Sequence, residues 1–203
     1  MSAFLAPIHF WLYNKIALQE ELINDIIDCA RHNKWDERLN GETVESYSCG
    51  ELPALESVID TDNIHGWLQS RIRDCESRYA KLLIGLLAID PERLNQLKQV
   101  AYDFGTHHAI DADADAQDAF KAMNDSLLDG MPCDHVNSLL TDSSEEVSWE
   151  RTQNLHAQYW TNAGGDSRYY DVFRTQIIYG LISHTNLRYL CLTDDKYAFT
   201  FEQ

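Results

Sequence analysis

The chain has 203 residues, of which 44% are hydrophobic and 24% charged, and its 33 acidic side chains outnumber the 16 basic ones. This length fits one globular domain, and the apolar fraction excludes a wholly disordered chain. The formal net charge of −17 disfavours binding to nucleic acid and to an anionic membrane surface, because like charges repel.

The N-terminal stretch, Met1 to Ile16, has no basic region ahead of its apolar residues and no small-residue cleavage site. It is therefore not predicted to be a signal peptide. The longest apolar run, Leu82 to Ile89, is much shorter than the ~20 residues needed to span a bilayer. The five cysteines are an odd number in a chain large enough to fold without disulfides. These features predict reduced thiols and a cytoplasmic protein.

Prolines and apolar spacing predict helices over the first half of the chain. The first helix is predicted from Pro7 to Arg31, because apolar residues recur there at the helical period. A polar loop follows, from His32 to Gly50. A second helical region is predicted from Pro53 to about Ala88, with a break at residues 60–63, and a third helix from Pro91.

The second half is also predicted to be mainly helical. The acidic stretch Asp111–Ala116 predicts a helix N-terminus rather than a calcium loop, because it lacks the glycine and distal glutamate of an EF-hand. Short helices are predicted from Pro132 and from Ser144 to Trp160, and a last helix from Arg168 to about Leu190. The tail, Tyr197–Phe201, alternates weakly and predicts an extended segment.

The sequence contains no pair of strong strand signals with a hairpin turn between them. We therefore predict an all-α fold, an up-down bundle of about six helices, organised as a single helical domain over residues 1–203.

An internal repeat is the most informative feature of the sequence. Residues 8–16 resemble residues 64–72 at a constant offset of 56, with Ile, His, Trp, Leu and Ile matching. At the same offset Lys15 aligns with Arg71, and Glu20 with Glu76. Residues 155–160 form a third, looser copy. The repeat predicts duplicated helical units.

Helical geometry places a histidine and a glutamate of each main copy on the apolar face. His9 and Glu20 share one face with the apolar stripe of the first helix, and His65 and Glu76 do the same in the second. Burying such groups is costly unless they are paired or bind a metal. In an antiparallel pair of helices, the histidine of one could meet the glutamate of the other.

These residues predict a metal site in the bundle core. A helical bundle can gather histidines and carboxylates from several helices around one ion of iron, manganese or zinc. Hydrogen-bonded core residues or helix caps are the structural alternative. The candidate ligands are His9, Glu20, His65, Glu76, His107, His108 and His156.

The pattern of inward-facing histidines is similar to that of hemerythrin-like and DinB-like helical bundles, and this resemblance implies a bound metal. The sequence departs from the paired motifs of those families, since Gln69 follows His65 by four positions and Trp160 follows His156. A site for a single ion fits better than a di-iron centre. Haem ranks below a metal ion, with His9 or His65 as the axial candidate.

A second candidate site is the pair Cys133 and His135. Pro132 is predicted to start a helix, and a thiol in a first helical turn has a lowered pKa because of the helix dipole. His135 is close enough in sequence to polarise that thiol, whereas the neighbouring charge of Asp134 opposes ionisation. The pair is therefore a candidate for nucleophilic catalysis or for metal binding.

Three functions are compatible with these observations. The favoured one is a metal-binding bundle that acts as a redox or hydrolytic enzyme or as a metal-dependent sensor. The second is an acidic binding, adaptor or chaperone module that docks a basic protein partner. The third is a thiol enzyme that uses Cys133. The substrate and the oligomeric state do not follow from the sequence.

Overall fold

A computed structural model describes residues 4–201. Residues 1–3, at the start of the stretch Met1–Ile16, lie outside that range. Residues 202–203, at the end of the predicted domain, also lie outside it. No helix within it is long and apolar enough to cross a membrane. The described part forms seven helices: α1 (Pro7–His32), α2 (Leu55–Val58), α3 (Ile64–Ile89), α4 (Leu94–His107), α5 (Ala116–Ser126), α6 (Ala157–Asn162) and α7 (Arg168–Leu181).

The helices predicted for the first half are present, but the one predicted from Pro91 begins with the 3-10 turn Pro91–Arg93, and α4 starts at Leu94. Helix α1 starts at Pro7, as predicted, and ends one residue later than expected. The predicted break at residues 60–63 separates α2 from α3, and the side chain of Asn63 accepts a hydrogen bond from the Gly66 backbone N–H at the start of α3. The acidic stretch also starts a helix, since Asp115 caps α5 through the N–H groups of Gln117 and Asp118.

The all-α prediction is wrong, because the second half contains a four-stranded antiparallel sheet. Its strands are β1 (Asn137–Asp142), β2 (Glu146–Arg151), β3 (Leu187–Cys191) and β4 (Lys196–Phe201). They lie in the order β1-β2-β4-β3, with Trp149 opposite Tyr197 at the centre. The extended tail is confirmed as β4.

The sheet was missed because its hairpins do not use the usual glycine turns. The β1–β2 connection is Ser143–Glu145, where the Ser143 backbone N–H donates to the Glu146 carbonyl oxygen. The predicted helix from Ser144 therefore begins in a hairpin, and the one from Pro132 is only a three-residue 3-10 turn. The last helix ends at Leu181 instead of Leu190, and the rest of that segment enters β3.

The sheet packs on the helices through an aromatic core. Trp149 of β2 is fully buried, and its ring lies 5.1 Å from the rings of both Phe120 on α5 and Phe199 on β4. Helix α5 also contacts α1 and α7. It thus joins the sheet to the helical half of the molecule.

The duplicated helices α1 and α3 lie parallel, not antiparallel. His9 faces His65, Tyr13 faces Trp67 and Gln19 bonds to Glu76, so residue numbers rise together along the two helices. The repeat therefore brings its equivalent positions side by side at the N-terminal end of the pair. The predicted meeting of the histidine of one helix with the glutamate of the other does not occur.

Candidate functional site

The two repeat histidines lie together at the N-terminal end of the α1–α3 pair. The centroids of the His9 and His65 rings are 5.5 Å apart, and the side chain of His65 is exposed. The Nδ1 atom of His9 accepts a hydrogen bond from the backbone N–H of Ala6 at 3.0 Å. This bond fixes the proton on Nε2, so His9 caps its own helix and presents no free lone pair to a metal.

The two repeat glutamates take different partners deeper in the pair. Glu20 forms an ion pair with Arg78 of α3, whose guanidinium also donates to the carbonyl oxygen of Tyr47. The position in α1 that corresponds to Arg78 is Leu22, so Glu76 has no arginine facing it. Glu76 instead accepts a hydrogen bond from Gln19 at 2.7 Å.

Glu76 finds its counter-charge in His156, which lies between two carboxylates. The Nδ1 atom of His156 is 2.8 Å from an oxygen of Glu76, and its Nε2 atom is 3.1 Å from an oxygen of Asp129. The ring stacks on Tyr170 with centroids 3.6 Å apart, and the Tyr170 hydroxyl donates to Asp129. We call Glu76, Asp129, His156 and Tyr170 the buried ionic cluster; each is at most 8% exposed.

The electrostatics of the cluster keep His156 protonated. Burial by itself lowers the pKa of an imidazole, but Glu76 and Asp129 outweigh it and raise the pKa of His156 to about 9. Burial also acts to raise the pKa of Asp129. The hydrogen bond from His156 and the charge of Arg174 outweigh burial there and hold that pKa well below its usual value.

The remaining candidate histidines lie elsewhere. His107 is exposed at the end of α4. His108 pairs with Glu21 of α1 at 2.9 Å, and its ring packs on Phe104. The seven predicted ligands are therefore distributed over several separate places, and only Glu76 and His156 share hydrogen bonds.

The metal-binding prediction is wrong for residues 4–201, which contain no group of three or more His, Cys, Asp or Glu side chains arranged to hold a metal ion. The physical reason is the position of His156. Its imidazole lies between the carboxylates of Glu76 and Asp129 and bonds to both, so the three side chains do not direct lone pairs at a common point. The haem hypothesis at His9 or His65 stays a prediction.

The pair Cys133 and His135 lies on the surface. Both side chains are exposed, and no helix dipole acts on the thiol because Pro132–Asp134 is only a three-residue turn. All five cysteines, which lie in the described part of the chain, are unpaired. Catalysis by Cys133 stays a prediction.

An acidic groove lies between the α4–α5 connection and α5. Its volume is about 420 Å³, and its apolar lining comes from Ile110 and three alanines. The one basic residue that lines it, Lys121, donates to Asp125 at 2.7 Å. The carboxylates that line the groove belong to Asp111, Asp113, Asp118 and Asp125.

The groove belongs to the most acidic part of the chain. Residues 111–146 contain ten acidic side chains and a single lysine, which is more than half of the net charge of −17. The stretch Asp111–Ala116 was recognised from the sequence only as a helix start. The concentration of charge was visible there, but the groove that it lines was not, because Lys121 and Asp125 come from the next helix.

Comparisons with protein-family models, curated proteins and solved structures gave no match to this chain. The resemblance to hemerythrin-like and DinB-like proteins therefore stays a prediction. The function has to be argued from the geometry of the chain itself.

Proposed function

We propose that this chain is a non-catalytic binding protein whose acidic groove docks a basic segment of a protein partner. The observation that carries the proposal is that apolar side chains, Ile110 among them, and several aspartate carboxylates line the same groove. Lysine and arginine side chains have the complementary construction, an apolar stem that ends in a cation. A groove of about 420 Å³ has room for more than one such side chain.

The charge distribution supports the same proposal. Four aspartates and one lysine line the groove, so the groove is surrounded by a net negative charge. Such a field speeds the approach of a basic partner and repels acidic ones. Because salt screens these interactions, we expect affinity to fall as ionic strength rises.

The buried ionic cluster supports a binding role rather than acid–base catalysis. Both ring nitrogens of His156 are bonded to carboxylates, so the imidazole has no lone pair with which to accept a proton from a substrate. The cluster organises the interior, and the unpaired carboxylates lie outside.

The test compares two charge-neutralised variants that lose equal charge. The first is D111N/D113N in the groove. The second is the control E51Q/E56Q, which alters two exposed carboxylates in the connection between α1 and α3. The unaltered chain and both variants are immobilised and exposed at low salt to a lysate of the source cells. Retained proteins are identified by mass spectrometry, purified and titrated against all three chains.

The proposal predicts a basic protein that binds the unaltered chain and E51Q/E56Q alike. Its binding to D111N/D113N should be about fivefold weaker or more, and it should be released by salt. Equal weakening by the two variants would show non-specific attraction to negative charge and would refute the groove as the binding site. Failure to retain any basic protein would refute the function.

A further inference from the structure

A polar cavity next to the buried ionic cluster contains a lysine without a hydrogen-bond partner. Lys15 of α1 is only 3% exposed, yet within residues 4–201 its ammonium makes no hydrogen bond or ion pair. The ammonium lies over the face of Trp11, 4.2 Å from the ring centroid. The negative charges of Asp129 and Asp125 act on this ammonium. An ammonium has three donors, and here none of them is used by a protein group among the described residues.

The cavity that Lys15 lines has a volume of about 170 Å³, and Asn137 and Asp129 also line it. Asn137 donates its amide hydrogens to Asn124 and to Asp129, but its buried Oδ1 atom has no partner. Asp129, which bonds His156 and Tyr170 through one oxygen, also lines the cavity. The unused donors of Lys15 and the carboxylate of Asp129 thus line one cavity.

The charges of the lining select the class of ligand. A simple anion would be attracted by Lys15 and repelled by Asp129. A simple cation would be attracted by Asp129 and repelled by Lys15. A small molecule that carries both charges meets neither penalty. The volume corresponds to ~6 water molecules at ~30 Å³ each, which suits a compact ligand.

We propose that this cavity binds a small zwitterion of the α-amino acid type. Its carboxylate accepts hydrogen bonds from Lys15, and its ammonium faces Asp129. The exposed Pro132 and His135 also line the cavity, which gives the ligand a route from solvent. This site is separate from the acidic groove and does not depend on the function proposed for it.

The repeat supplies a matched control for the test. Arg71 occupies the position in α3 that corresponds to Lys15, it lies near Trp67 as Lys15 lies near Trp11, and its side chain is exposed. Lys15→Met and Arg71→Met therefore remove the same charge from equivalent places, one inside the cavity and one outside. Methionine keeps most of the length of the lysine stem, so the fold should tolerate the change.

The experiment is calorimetric titration of the full chain and both variants with glycine, L-alanine and L-serine at neutral pH. We expect saturable one-to-one binding of at least one of them to the unaltered chain and to Arg71→Met, and at least tenfold weaker binding to Lys15→Met. Acetate and methylammonium, which each carry one of the two charges, should also bind at least tenfold more weakly. The comparison of the amino acids with acetate and methylammonium uses the unaltered chain, so it tests the proposal even if Lys15→Met does not fold.

Three results would overturn the proposal. The first is no binding of any of the three amino acids to the unaltered chain, in which case the cavity holds water. The second is equal binding to Lys15→Met and Arg71→Met. The third is binding of acetate or methylammonium as tight as that of the amino acids.

Discussion

The chain places its carboxylates in two contrasting environments. In the buried ionic cluster, Glu76 and Asp129 share one imidazolium and are further bonded by Gln19, Tyr170 and Asn137. In the acidic groove, the carboxylates of Asp111 and Asp113 are exposed and have no hydrogen-bond partner among the described residues. The interior tolerates acidic groups only when they are paired, because water no longer solvates them.

This contrast separates stability from binding. A change inside the cluster leaves a buried charge without a partner and should destabilise the fold, whereas a change in the groove alters only the field outside. The pair Glu20 and Arg78 lies between these cases, since the side chain of Arg78 is 17% exposed and that of Glu20 is 5% exposed. Four predictions test the contrast, from the largest effect to the smallest.

Replacing His156 with leucine should have the largest effect. The substitution leaves Glu76 and Asp129 buried without their shared counter-ion, so the free energy of unfolding should fall by ~3–5 kcal/mol. Urea unfolding followed by circular dichroism measures this loss. His184→Leu, which changes an exposed histidine, is the control and should cost less than ~0.5 kcal/mol. Similar losses in the two variants would mean that the cluster does not stabilise the fold.

The stability of the protein should depend on pH through the same histidine. Because its pKa is raised from 6.5 to about 9, folding favours the protonated form. The stabilisation is present in full below pH 6.5 and is lost as the pH rises through about 9. Between pH 6 and pH 9 the unaltered chain should lose ~3 kcal/mol more than His156→Gln does. If the free energy of unfolding changed with pH to the same extent in the two proteins, His156 would not be the source of the pH dependence.

Replacing Arg78 with methionine should have an intermediate effect. Glu20 would lose its ion pair but keep some access to water, so we expect a loss of ~2 kcal/mol in the free energy of unfolding. Arg73→Met removes the same charge from an exposed position on α3 and should cost less than ~0.5 kcal/mol. If Arg78→Met lowered the free energy of unfolding no more than Arg73→Met does, the ion pair of Glu20 would contribute as little to stability as a surface pair.

The double variant D111N/D113N should have the smallest effect on stability. Neither side chain has a partner to lose, and removing two negative charges relieves repulsion, so the free energy of unfolding should stay within ~0.5 kcal/mol of the original. Chemical unfolding at low salt, with E51Q/E56Q alongside, checks this. Destabilisation of ~2 kcal/mol or more would show that these carboxylates have a structural role.

The helical half of the fold could be predicted from the sequence because its signals are local. Pro7, Asn63 and Asp115 mark the starts of α1, α3 and α5, and the apolar spacing that follows each depends only on near neighbours. The sheet could not be predicted in the same way. Its hairpin loops lack glycine, and its strands are stabilised by pairing with segments distant in sequence, as with Trp149 and Tyr197.

The candidate site was predicted only in part. The repeat identified Glu76 and the third copy identified His156 as polar groups in unusual positions, and these two residues do meet. Nothing local singled out Asp129, which completes the cluster, or Lys15, which lines the cavity beside it. Neither role can be read from nearby residues, because Asp129 is paired by groups from other elements and Lys15 lines a cavity that several elements form.

The sequence by itself determined the helices of the first half, the duplicated segment and the excess of negative charge, since each can be read from spacing or composition. The tertiary structure decided which charges are paired. Glu76 and His156 are 80 positions apart, and Asp129 and His156 are 27 apart, so only the packing of the chain could bring them together. Once buried, they must neutralise one another, and the carboxylates that remain outside are left to interact with solvent and partners.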